Sequence, residues 1–238
     1  MPPCARDPSM LIGDIMKKLG WILLLAAGMP ALGRAESRLV QNSAELVPAG
    51  YVVFEKLQGD LNSDRQMDDI FIIKKTDKEN IVKNRFGEMV DRNPRGLVIA
   101  FKKGHQYELA LENRDCFDSE NEDGGVYFAP ELSMELDGKN LFIHYGHGRY
   151  GSWEYQFQYR HSDFELIGYF ASLGGSVIDR EISINFITKK MLIRDNMDQS
   201  AEPGKEKFVE TWKRIRLTQP MKLREMKDFL GFEPTAFD

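Results

Sequence analysis

Cysteine is nearly absent from this chain: 238 residues carry two, Cys4 and Cys116. A disulfide framework of the kind that staples small secreted domains is therefore excluded. Histidine is sparse as well, with four residues, and His144-x-x-His147 supplies two zinc ligands where three or four are needed. A basic excess is lacking. The net charge is −5 and acids run through the whole chain, which argues against a nucleic-acid partner, since phosphate binding needs a basic face. No G-x-S-x-G occurs, and no repeat of 20–50 residues. What is there is 42% hydrophobic and 29% charged, an ordinary globular composition for one or two domains.

The N-terminus reads as an export signal. Met16-Lys17-Lys18 gives a positive start and Leu19–Gly28 an apolar run too short for a comfortable membrane span. Pro30 breaks that run, and Gly33-Arg34-Ala35 places small residues at −3 and −1 of a cleavage site. An uncut signal anchor is the alternative. Residues 1–15 suit no signal, so Met16 is expected as the true start, residues 1–35 as the leader and the protein as periplasmic or extracellular. Cleavage after Ala35 leaves 203 residues; the leader holds four basic and two acidic residues, so the charge falls from −5 to −7. Cys4 goes with the leader, Cys116 is then alone, and Glu36 after the cut argues against a lipid anchor.

Residues 36–48 read as a flexible lead-in, 49–238 as one β-rich domain and 195–207 as a mobile polar loop. Tyr51–Lys56, Ile70–Lys75, Gly96–Phe101 and Gln106–Glu112 have strand composition, and 76–95 read as loop. A hairpin turns at Asp137-Gly138. Trp153, Tyr155, Phe157 and Tyr159 alternate with polar residues and are the strongest period-2 signal, expected as the buried face of a strand. Strands follow over 164–170, 182–186, 191–194 and 208–217, and Leu223–Leu230 reads as a short C-terminal helix. The expectation is an all-β fold, mainly antiparallel and built from hairpins, as a sandwich or an incomplete propeller.

One stretch has the spacing of a metal loop. Gly59–Ile73 (GDLNSDRQMDDIFII) puts Asp60, Asn62, Asp64 and Asp68 at positions 1, 3, 5 and 9, with the carbonyl of Gln66 at position 7. Oxygen ligands on alternate residues of a tight turn suit calcium. The run resembles the calcium loops of FG-GAP and VCBS-type repeats, with Arg65 where those carry glycine. A left-handed Arg65 would cost about 1–2 kcal/mol. Position 12 is Phe71 rather than Glu, which excludes a helix-loop-helix EF-hand. The segments ENEDGGVYFAPELS (120–133), HYGHGRYGSW (144–153), SDFELIGY (162–169) and EISINFITKK (181–190) resemble a family of uncharacterised exported bacterial β-rich proteins. That resemblance implies export and no catalytic residues.

His144, His147, Arg149, Tyr150 and Trp153 sit among three glycines. They read either as a ligand loop, aromatics stacking on a sugar with Arg or His fixing its hydroxyls, or as a glycine-rich connection. Asp118, Glu120, Glu122 and Asp123 read as a second cation site or a solvated acidic loop. Three functions follow. The first is a non-enzymatic exported protein with a structural calcium loop that binds a glycan or a surface partner. The second is a secreted hydrolase of polysaccharide or peptide, with two carboxylates in one cleft. The third is a component of an envelope assembly.

Overall fold

A computed structural model describes residues 38–123 and 128–237. The leader expected over 1–35, with Cys4, lies outside the described residues, as do four residues of the 120–133 segment. None of the described helices is long and apolar enough to cross a membrane.

The fold is all-β and mostly antiparallel. The first half gives β1 (Leu39–Val40), β2 (Tyr51–Gly59), β3 (Asp68–Lys75), β4 (Ile81–Lys83), β5 (Met89–Asp91), β6 (Arg95–Lys103) and β7 (Gln106–Phe117). Five of these make a sheet in the order β1-β7-β6-β3-β2, while β4 and β5 pair with each other as a separate ribbon. That ribbon lies inside the stretch expected as loop; its apolar pairs are too few to read against the polar residues around them.

β3 is buried on both faces, which explains its unbroken apolar run Ile70–Ile73. Ile70 and Ile72 enter the main core. Phe71 and Ile73 point the other way, into a small core with Val40, Leu46, Val98 and Ala100. The described part of the expected lead-in, residues 38–48, is thus a lid on that second core. Asn42 caps its 3-10 turn (Ser43–Leu46) with a capping box, and β1 pairs with β7.

The second half is a meander: β8 (Glu131–Asp137), β9 (Asn140–Gly146), β10 (Gly151–Arg160), β11 (Asp163–Gly174), β12 (Ile178–Asn185), β13 (Lys190–Asn196) and β14 (Phe208–Arg214). They form one sheet in strict sequence order, curled into a half-barrel. A bulge where Phe157 pairs with Leu166 slips the register by one residue. It bends the sheet and turns Leu166 and Tyr169 to the same side. The inner face carries Tyr155 and Phe157 of the aromatic stripe, both fully buried, and shares one core with Ile70, Ile72, Leu97 and Ile99 of the first sheet.

The C-terminal tail completes that core. The helix expected over 223–230 is a single 3-10 turn, Leu223–Glu225, followed by irregular chain. Tertiary contacts replace helical hydrogen bonds. The Asn113 amide donates to the carbonyls of Leu223 and Met226, at 2.7 Å each. Arg224 Nε donates to Asp163 at 2.8 Å, and Tyr155 donates its hydroxyl to the carbonyl of Phe229. Phe229 is thereby fixed in the core against Tyr155 and Phe117.

Candidate functional site

The acidic loop joins β2 to β3. Asp64 N–H donates to Asp60 Oδ1 (3.1 Å) and Asn62 Oδ1 (2.9 Å), so those two oxygens meet at one nitrogen. Arg65 N–H donates to Asp60 Oδ2 at 2.8 Å, and Gln66 N–H to Asp64 Oδ1 at 2.9 Å. Arg65 stands at φ +67° and Ser63 at +64°, so the left-handed position inferred for Arg65 is present and has a second beside it. Lys103 Nζ lies 3.8 Å from Asp64 Oδ2, and the Gln66 side-chain oxygen accepts from Gly104 N–H at 2.8 Å.

Asp68 faces inward. Its carboxylate is fully buried and accepts from Leu61 N–H (3.0 Å) and Lys102 N–H (2.9 Å). Burial raises its pKa and the charges of Asp64 and Asp60 add to that; the two amide donors pull the other way. The donors of this loop are oxygens throughout, which is the chemistry calcium takes. Asp60, Asn62 and Asp64 are held together, whereas Asp68 spends its oxygens on backbone. Among the described residues no three acid, histidine or cysteine side chains gather as a metal group.

The five residues of the glycine-rich stretch fall into three places. His144 is on the outer face of the curled sheet, its Nδ1 2.9 Å from a carboxylate oxygen of Glu154. His147 is in the 3-10 turn at Gly148–Tyr150, where its Nε2 donates to the carbonyl of Phe128 (2.9 Å) and its ring leans on Tyr150. Arg149 shares that turn, its guanidinium 5.7 Å from the Tyr150 ring. Trp153 faces inward, stacked on Tyr145 with centroids 5.5 Å apart and planes 14° apart. Period-2 alternation forces this split, since residues 144 and 153 sit on opposite faces of paired strands. Gly151 starts β10 at φ +113°, where a Cβ would stand 2.1 Å from the Ser172 carbonyl oxygen. The glycine is there for strand pairing.

Trp153 lines a cavity of about 390 Å³ between the inner face of the half-barrel and the tail. Tyr155, Tyr169 and Phe232 add aromatic wall, Ile182 and Leu173 aliphatic wall, and Arg180 and Glu233 bring charge. Arg180 is held by Asp195 across β12 and β13. Of the predicted ligand residues Trp153 alone is among those lining this cavity. Sequence pattern does not single out Tyr169, Arg180, Phe232 or Glu233 as site residues. The alternation of β11 carried a signal for Tyr169; the tail residues have no periodicity to betray them.

Two of the other charged cavities lie beside elements already described. One of about 390 Å³ beside the acidic loop is lined by Asp64, Lys103, Glu108 and Tyr159. The other, about 220 Å³, lies at the β10–β11 turn. There the buried Glu165 accepts from His161 Nδ1 at 2.9 Å, and His161 and Ser162 both take left-handed φ. The acidic run 118–123 is a network of ion pairs: Glu120 with the buried Lys74, and Asp123 with Arg92 at 2.5 Å.

No family model, curated protein or solved structure aligns with this chain. The reading of function therefore rests on residues and geometry.

Proposed function

We propose that this is an exported, non-enzymatic binding protein that takes a glycan in the aromatic cavity at Trp153, with the Asp60–Asp68 loop stiffened by calcium. The observation that carries the reading is that cavity. Trp153, Tyr155, Tyr169 and Phe232 surround a space of about 390 Å³ with Arg180 and Glu233 in its wall. Aromatic faces stack on the C–H faces of a sugar ring, and a guanidinium and a carboxylate pair with its hydroxyls. The export signal supplies the place where such a ligand is met, and an envelope protein that carries the glycan is the partner that fits.

A glycan array with the purified chain tests this. Trp153→Ala and Glu233→Gln should each weaken binding about tenfold or more, at the level of one or two lost contacts. Arg149→Ala should leave it unchanged, because Arg149 is outside the cavity wall. Loss of binding in Arg149→Ala with retention in Trp153→Ala would move the site to the glycine-rich turn. The second reading, a hydrolase, rests on one observation: Asp64 and Glu108 both line the cavity beside the acidic loop. Reducing ends released from bound glycans, and lost in Glu108→Gln, would convert the assignment to that enzyme.

A further inference from the structure

The β4–β5 ribbon is the part of the described fold with the least internal reason to exist. It joins neither large sheet. A lone two-stranded ribbon is marginal in water. Its tip is nevertheless well organised. Asn84 Oδ1 accepts from Phe86 N–H (2.9 Å) and Glu88 N–H (3.0 Å), and Gly87 N–H closes the turn on the Asn84 carbonyl at 2.9 Å. That turn holds out Phe86, 74% exposed, the most exposed of the large apolar side chains described. Met89 (59%) and Ile81 (41%) continue the apolar surface down one face, since Met89 pairs with Lys83 and Ile81 lies two residues before it.

Two cations flank this tip. Arg85 places its guanidinium 4.9 Å from the Phe86 ring, and Lys83 is exposed on the same face as Met89. Glu88 is the carboxylate at the tip, and Asn84 Nδ2 donates to it at 3.1 Å. Asp91, the other carboxylate on this face, is ion-paired with Lys74 at 2.9 Å. A projecting apolar tip where two cations stand against one carboxylate is poorly shaped for a rigid protein pocket and suits a fluid, negatively charged interface.

We propose that the β4–β5 ribbon docks the protein on a bilayer of anionic phospholipid, with Phe86 and Met89 entering the headgroup region and Lys83 and Arg85 meeting the phosphates. Such contacts combine buried apolar area with attraction to anionic lipid. The test is hydrogen–deuterium exchange of the full chain on phosphatidylglycerol vesicles and on phosphatidylcholine vesicles. A local readout is needed because the apolar run at 19–28 is present in every sample. Amides of 81–89 should be protected on phosphatidylglycerol and far less on phosphatidylcholine. Phe86→Asp should abolish the protection, and Lys83→Glu with Arg85→Glu should weaken it roughly thirtyfold. The melting temperature should not change in either, since these side chains are exposed. No protection of 81–89 on phosphatidylglycerol, or equal protection on both vesicles, overturns the proposal. So does protection that survives Phe86→Asp.

Discussion

Tyr145 buries a phenol on the inner face of β9, with 3% of its surface exposed, and its hydroxyl has no hydrogen-bond partner among the described residues. Burial pushes that phenol far above its ordinary pKa. An unpaired buried hydroxyl costs free energy, so its removal should be neutral or favourable. Tyr145→Phe should leave the chemical-denaturation midpoint unchanged or raise stability by up to about 1 kcal/mol. A loss beyond about 1 kcal/mol would show that the hydroxyl is bonded. Asp69 is the opposite case. Burial would raise its pKa, but Ser43, Lys56 and Gln58 all donate to it and hold it below the usual aspartate range. Its folded pKa lies below the unfolded one, so its contribution is present above the ordinary aspartate range and is lost as pH falls through the folded value. Asp69→Ala also unties the 39–48 lid from the sheet. It should cost about 2–4 kcal/mol at pH 7, with the loss shrinking in acid, measured by urea titration. Asp68, one residue earlier, has its pKa raised, so its sign is reversed: the fold loses stability as pH rises through that folded value.

The element that spacing made most legible is the acidic loop. Its turn, the left-handed Arg65 and the apolar strand behind it all follow from residue order. The inward turn of Asp68 does not, because it answers to backbone donors of Leu61 and Lys102, the latter brought by a strand 34 residues away. Strand composition and alternation locate most of the fourteen described strands, since a half-buried strand must repeat every two residues and a fully buried one is apolar throughout. It was silent about the bulge at Phe157 and about which of two faces a glycine-flanked histidine takes. The tail reads as helix because Leu223, Met226 and Leu230 have helical spacing, but the Asn113 amide claims the carbonyls a helix would use. Calcium at the acidic loop should act modestly. With a dissociation constant of ~10⁻⁴–10⁻³ M, ~1 mM calcium adds roughly 0.4–1.4 kcal/mol. Thermal unfolding should shift by roughly 1–5 °C between calcium and chelator, with little effect of magnesium, and Asp60→Ala should remove the shift. Identical curves in all three would make the loop a polar turn.

At the scale of the whole molecule, the two sheets are wired differently. The curled sheet is a run of neighbours, each strand pairing with the one before it. The first sheet needs β1 to reach β7, with partners such as Leu39 and Glu108 some seventy residues apart. Neither closes the core by itself, because Phe229 and its neighbours arrive last and fill the gap between Phe117 and Tyr155.

That order has a kinetic meaning. Local hairpins form quickly, while distant pairings pay for closing long loops first. A growing chain can therefore lay down the meander strand by strand as it emerges, yet its aromatic interior stays open to water, and to other chains, until some fifteen residues beyond β14 have been made. For that interval the molecule has its secondary structure and lacks its seal. Anything that holds the tail back prolongs the interval in which aggregation competes with folding.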